Sequence, residues 1–314
     1  MKEPLLCLSL PDQKPCPIPA RSILCLGNFD GVHLGHRSLF AAAKEIQKSF
    51  DSHIPCGVFC FRGLTSDLLL KTPPGHLDSE EDRMRKFADC GMEFVIFADF
   101  ARIRDLSPVD FLQSILIDTC HATALVCGEN YRFGKSGMGR PELLKSDTSL
   151  IVKILPEFAL DGDVVSSTRI RKLLEQDGNA KEATRLLGEP YALTSPVEHG
   201  KGLGHKLGVP TLNQFFPAHA LIPRHGVYIT TVLVDGTIYP AVSNVGVRPS
   251  VEKTSQVNCE TNLLSYCGSL YEKTVSTRFL EWIRPEEAFE SEKALQKAIS
   301  EDLERAKAYF KITS

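Results

Sequence analysis

The 314-residue chain lacks any long apolar run; near its start MKEPLLCLSLPDQKP holds a short one that Pro11 and Asp12 break. That is too short for the core of a secretory signal. No segment approaches the ~20 apolar residues of a membrane span. The expectation is a cytoplasmic protein without a membrane partner. An excess of one charge is also missing: Lys and Arg number 36, Asp and Glu 39. A broad nucleic-acid footprint shows as a basic excess or stripe, so no nucleic-acid partner is expected. A small anion held by a few local cations stays open. Paired cysteine half-sites are absent too. The ten cysteines are irregularly spaced, and Cys56 and Cys60 form a CxxxC without a second pair or a histidine pattern. Zinc sites normally show two half-sites, so the thiols read as buried and reduced. There is no internal repeat and no low-complexity segment.

What is present is a globular composition, 43% hydrophobic and 24% charged, over a length that suits about two domains. The first half alternates strand and helix signals. Strands are predicted at Ile23–Leu26, Pro55–Phe61, Phe94–Phe97, Thr123–Cys127 and Leu150–Leu155. Helices are predicted over 35–50, 79–90, Pro108–Leu116 and Thr168–Gln176. This alternation implies a mostly parallel sheet covered on both faces, an α/β fold. After about residue 184 the pattern changes to short β runs divided by turns. Asp235-Gly236 between alternating runs signals a hairpin. The tail repeats apolar residues at helical spacing (Leu295, Ile299, Leu303, Ala306, Phe310) behind a Ser291 cap. With Asp177-Gly178-Asn179 as a break, the expected domains are 1–184 and 185–314, the second an antiparallel β-barrel closed by a helix.

Residues 27–40 read GNFDGVHLGHRSLF, between a predicted strand and a predicted helix. A glycine-rich turn into a helix leaves backbone N–H groups without intrahelical partners, an anion site reinforced by the helix dipole. His33 and His36, with Gly35 between them, add donors for phosphate oxygens and for charge growing on phosphorus. A second cluster, VSSTRIRKLL at 165–174, places Ser166, Ser167 and Thr168 as caps ahead of Arg169 and Arg171. Cations at a helix start oppose its dipole, and a bound anion offsets that. The planar fork of Arg171 suits a polyphosphate.

GNFDGVHLGHRSLF resembles the HxGH motif of the nucleotidyltransferase superfamily, and VSSTRIRKLL its SSTxxR motif. Together with CGENYRFGKSGMG at 127–139, the set is similar to the bifunctional riboflavin kinase/FMN adenylyltransferase family. The resemblance implies that the first domain is Rossmann-like and moves AMP from ATP onto FMN, releasing pyrophosphate. The nucleophile is already an anion, so positioning and charge stabilisation carry the step. It further implies that His33 and His36 contact ATP phosphates and that Asn28 and Asp30 shape or line the site. Asn130 sits by the substrates, and Ser167, Thr168 and Arg171 close over the phosphates. One departure stands out: the family's FEPHP-like segment is FRGLT at 61–65 here.

In the second half, PVEHGKGLGHKLGVPTLN at 196–213 is glycine-rich and basic. Gly200 and Gly204 allow close backbone approach to a ligand, and Lys206 supplies charge. The stretch resembles the riboflavin kinase signature ending PTAN, here PTLN, with His205 in place of the usual arginine. The resemblance implies that Thr211 and Asn213 ligate Mg²⁺ with ATP as co-substrate; oxygen ligands suit this ion. Riboflavin attacks through an alcohol that must lose a proton, so a base is useful. VNCETNLL matches the family's VExxLL-like strand and assigns the base to Glu260, with NVGVRP at 244–249 matching NIGxRP. Cys259 is expected on the opposite strand face, Trp282 in barrel packing, and the Glu80–Lys86 run on a solvated helix face. The implied ligands are riboflavin, FMN, FAD and ATP. Two alternatives stay open: a nucleotidyltransferase for another small phosphate ester with an accessory barrel, and a non-catalytic flavin-binding regulator.

Overall fold

The computed structural model describes residues 6–10, 18–198, 211–248, 256–266 and 268–312. The chain forms two compact units, Met1–Ser167 and Thr168–Ser314. In the first, strands β1 (Leu6–Leu10), β2 (Ser22–Leu26), β3 (Cys56–Phe61), β4 (Phe94–Ala98), β5 (Ala122–Gly128) and β6 (Ile151–Leu155) pair in the order β1-β4-β3-β2-β5-β6. Every neighbouring pair is parallel. Strand β2 shows why its sequence is a continuous apolar run. Ile23 and Cys25 enter one buried cluster and Leu24 and Leu26 the other, so both faces are covered. The chain leaves β2 toward β3 on one side and β5 lies on the other, so the switch point of the sheet falls between β2 and β5. In open α/β sheets the crevice outside the strand C-termini at such a point is where ligands bind.

Helix α1 (Leu34–Lys48) follows β2 and turns Leu39, Phe40, Ala42 and Ala43 inward. Further along come α2 (Thr65–Leu69), α3 (Glu80–Asp89), α4 (Phe100–Ile103) and α5 (Pro108–Asp110). The helix predicted from Pro108 continues from α5 as a π-helix over Phe111–Thr119. A short hairpin, β7 (Ala159–Leu160) with β8 (Asp163–Val164), ends the unit.

The second unit begins with α6, the part of Ser167–Lys172 after Ser167, then α7 (Ala180–Leu187). Gly178 has φ +67° and ends the first helical segment; Asn179 caps α7 by accepting from Glu182 N–H. Helix α7 packs on β14, and Leu174 C=O accepts from Arg224 N–H. The antiparallel sheet contains β9 (Ala192–Pro196), β10 (Leu212–Phe215), β11 (Gly226–Val234), β12 (Thr237–Arg248), β13 (Gln256–Leu263) and β14 (Thr274–Arg284), ordered β10-β13-β12-β11-β14-β9. A Glu198–Asn213 bridge and bonds from Gln214 Nε2 to Ser195 draw the two edges into a barrel. Asp235 and Gly236 make the predicted hairpin turn, with φ +48° and +84°. Helix α8 (Glu292–Phe310) is capped by Ser291 and lays Leu303, Ala306 and Phe310 on the outside of the barrel.

Candidate active sites

In the first unit, the turn after β2 bends sharply. Phe29, Gly31 and Val32 have φ +53°, +84° and +40°. For the two non-glycine residues that conformation costs about 1–2 kcal/mol each. Burial compensates: Phe29 packs edge-on against His36 and Phe87 and tilts against Phe40. Asp30 is buried, and both its carboxylate oxygens accept from the Leu77 N–H, at 3.0 and 3.3 Å. Its carbonyl accepts from Ser167 Oγ at 2.8 Å. These bonds tie the turn to Leu77 and to Ser167.

The turn delivers two stacked imidazoles. His33 is the N-cap of α1, and its Nδ1 accepts from His36 N–H at 3.3 Å. That leaves its proton on Nε2. The rings of His33 and His36 lie 3.6 Å apart, 19° from parallel. His36 Nδ1 is buried with no hydrogen-bond partner among the described residues. Burial, the neighbouring His33 and the Arg83 guanidinium, in that order, hold the His36 imidazole well below its usual pKa. The ring is neutral at pH 7. Gly35 sits in a tight place: a Cβ there would meet the His33 ring at 3.2 Å and Phe158 at 3.3 Å.

Beside the turn lies a cavity of about 540 Å³ at the C-terminal ends of β2, β3 and β5. Asn28 and Asn130 line it with the aromatic walls Phe61, Phe100, Phe111 and Tyr131. Asn28 Nδ2 donates to Thr65 Oγ1 at 3.4 Å and Asn130 Nδ2 to Glu157. In the FRGLT segment Arg62 pairs with Glu80 and donates to Ser9 Oγ at 3.0 Å. Thr168 and Arg171 share α6 in the second unit.

The Glu80–Lys86 run is not a solvated face. Arg83 and Lys86 are 3% and 6% exposed. Lys86 Nζ lies 2.6 Å from Asp78 Oδ1 in a buried ion pair, and burial pushes the Asp78 carboxyl up to about 6 against the pull of Lys86. Arg83 donates to the carbonyls of Asn28, Phe61 and Arg62 at 3.2, 2.7 and 2.9 Å. A charged run has no local sign of burial; Arg83 is buried because the ends of β2 and β3, distant in sequence, supply its acceptors, and Lys86 because Asp78 just ahead of the helix supplies its own.

In the second unit the site is a row across three strands. Asn213 on β10 and Asn244 on β12 both register with Glu260 on β13. Paired residues of antiparallel strands project to one face. Asn258, two residues along the same face, donates from Nδ2 to Glu260 Oε1 and to Asn213 Oδ1, both at 3.2 Å. Sequence reading missed Asn258, since a polar residue on a strand carries no mark of its partners. Glu260, Thr211 and Asn244 line a cavity of about 420 Å³ with Arg284, Glu286 and Phe289. Arg284 donates to both carboxylate oxygens of Asp302, fastening α8 beside it. Cys259 is buried on the other face, beside Thr261, and Trp282 packs against Arg224 and over Gly178 and Gly226. Gly200, Gly204, His205 and Lys206 lie outside the described residues.

The two sites define a pair of phosphate-handling transferases on one chain: a nucleotidyltransferase-type parallel sheet followed by a kinase-type barrel. Family models agree in order and extent, FAD synthetase over residues 17–169 and riboflavin kinase over 187–310. A bifunctional riboflavin kinase/FMN adenylyltransferase of Pseudomonas fluorescens is 32% identical, the match covering 91% of this chain and 92% of the relative. That of Escherichia coli K12 is 31% identical with 93% of each chain covered. Among solved structures, a Streptococcus pneumoniae chain described as a macrolide-efflux protein superposes with a TM-score of 0.86 at 29% identity, covering 96% of this chain and 99% of that one. The chain thus belongs to the bifunctional riboflavin kinase/FMN adenylyltransferase family, with both activities of FAD biosynthesis and ATP as co-substrate. No described helix is long and apolar enough to cross a membrane.

Proposed function

We propose that residues 185–314 phosphorylate riboflavin to FMN and that residues 1–184 adenylylate FMN to FAD, each with its own chemistry at phosphorus. In the first site His33 and His36 donate N–H bonds to ATP phosphates, and Asn28 and Asn130 hold the substrates in the adjoining cavity. Ser167, Thr168 and Arg171 close over the polyphosphate. The phosphate of FMN attacks the α-phosphorus, pyrophosphate leaves, and no proton needs to be removed. Neutral, preorganised donors suit this, since they stabilise growing charge without reorganising.

In the second site Glu260 accepts the proton of the riboflavin alcohol as it attacks the γ-phosphorus. Thr211 and Asn213 offer a hydroxyl and an amide oxygen beside that carboxylate, a donor set of hard oxygens that fits Mg²⁺. The ion supplies charge neutralisation on the ATP phosphates when bound. The loop with Gly200, Gly204 and Lys206 binds the nucleotide. A cytoplasmic location is supported by free cysteines among the described residues, six of them buried.

One observation carries the reading. The carboxylate in the histidine turn, Asp30, is engaged by backbone, whereas Glu260 opens into a cavity. The test is flavin chromatography after incubation with ATP and Mg²⁺, starting once from riboflavin and once from FMN. Glu260→Gln is expected to block only the first reaction. Loss of both, in a folded protein, removes the division of labour.

A further inference from the structure

The turn that presents His33 and His36 is strained, and something must hold it. Two of its residues have left-handed backbone without being glycine. The holding groups converge on Phe29 from the α3 side. On one flank of Phe29 the Asn28 carbonyl is taken by Arg83, and on the other the Asp30 carboxylate is taken by Leu77 N–H. The Phe29 ring itself rests on Phe87, one turn along α3 from Arg83.

We infer that Arg83 is a positioning residue for adenylyl transfer: its guanidinium ties the histidine turn after β2 to the end of β3 and so fixes where the two imidazoles stand. The inference rests on the reading of His33 and His36 as donors to ATP. The guanidinium fork makes this possible. It spans the Asn28 carbonyl on β2's exit and the Phe61 and Arg62 carbonyls on β3's exit, two chain segments also joined by the longer bond from Asn28 Nδ2 to Thr65 Oγ1 at 3.4 Å. Its guanidinium lies over the Phe97 ring at 5.5 Å, and the lining of the open cavity does not include it. Arg83 therefore acts through the turn and touches no substrate. The cation also faces His36 closely enough to favour the neutral ring. The strain of Phe29 and Val32 is stored in a segment that Arg83 locks from below, so loosening the lock lets the turn relax and the rings move.

The experiment compares Arg83→Met, Arg83→Lys and His36→Ala in the full chain, measuring FMN adenylylation and riboflavin phosphorylation on each protein. Displaced donors cost turnover more than substrate binding. Arg83→Met is expected to lower the adenylylation kcat about 10-fold or more. The KM for ATP should stay within about threefold and the kinase rate within about twofold. Arg83→Lys, which keeps a cation with several donors, is expected to regain most of the lost kcat. An Arg83→Met kcat within about twofold of wild type overturns the inference, as does a loss carried wholly by KM. If Arg83→Met unfolds the first unit by thermal melting, Arg83→Gln replaces it with the same thresholds. A unit that unfolds with both assigns Arg83 to folding and overturns the inference. His36→Ala separates the levels. If it keeps adenylylation, the donor reading falls and this inference with it; if it loses adenylylation while folded Arg83→Met does not, only the inference falls.

Discussion

The two phosphate sites are built in opposite ways. The first hangs on one strained turn at the switch point of a parallel sheet, with two stacked imidazoles at its centre. The second spreads over three antiparallel strands, and its central group is a carboxylate held by Asn258. In the proposed division of labour, the difference follows the nucleophile. A phosphate ester arrives already charged and asks only for placement. An alcohol arrives protonated and asks for a base. Local sequence spacing can write the first arrangement in a dozen residues. The second needs long-range strand register.

The sharpest way to break this comparison is Glu260→Gln, which keeps shape and hydrogen-bonding capacity but loses the base. Riboflavin phosphorylation is expected to fall by about 10²–10⁴-fold, with adenylylation of supplied FMN unchanged. A kinase rate within a few-fold of wild type, by product chromatography, ends the assignment. His36→Ala is expected to give the mirror image at about 10²-fold, FMN accumulating from riboflavin while FAD does not. Equal loss of both activities in a folded chain would merge the sites that the comparison separates.

A smaller effect tests where the two regions part. Helix α7 and Leu174 pack with the second unit, and Leu174, Ala180 and Ala183 are buried. A 168–314 fragment is expected to make FMN. A 185–314 fragment should make it too but with stability lower by about 2–5 kcal/mol, the order of one large buried side chain lost. Urea unfolding midpoints of the two fragments decide this, and equal midpoints would show that α7 contributes nothing.

The smallest effect concerns pH. His36 is held below its unfolded pKa, so its contribution to stability is present above the ordinary histidine range and is lost as pH falls from about 6.5. Asp78, raised from 3.8 to about 6, has the opposite sign: its contribution is present at low pH and is lost as pH rises through about 6. His36→Gln removes the first group alone. Its melting temperature should therefore fall less than that of wild type between pH 7 and pH 5, and an equal or steeper fall in calorimetry refutes the assignment.

Much of this was legible in the chain. The buried strands announce themselves as runs such as Ile23–Leu26, the hairpin as Asp235-Gly236, and the final helix as a spaced apolar stripe behind Ser291. The histidine turn is legible because its parts are neighbours: glycines, two imidazoles and a following helix. Three features were not. Arg83 reads as one charge among many, since the three carbonyls that bury it end other strands. Asn258 gains its meaning only from register with Asn213 and Glu260. The π-helical course of Phe111–Thr119 has no periodicity distinct from an α-helix over so few residues.

Strand order in the barrel has a consequence for how the protein comes into being. Strand β14 lies between β11 and β9, although it is the last strand in the chain. The ring cannot close until residue 284 has left the ribosome, while the parallel sheet is complete in sequence at Leu155. At about 5–20 residues per second, the two events are separated by many seconds of synthesis. A nascent chain thus holds every strand of its parallel sheet well before its barrel can close.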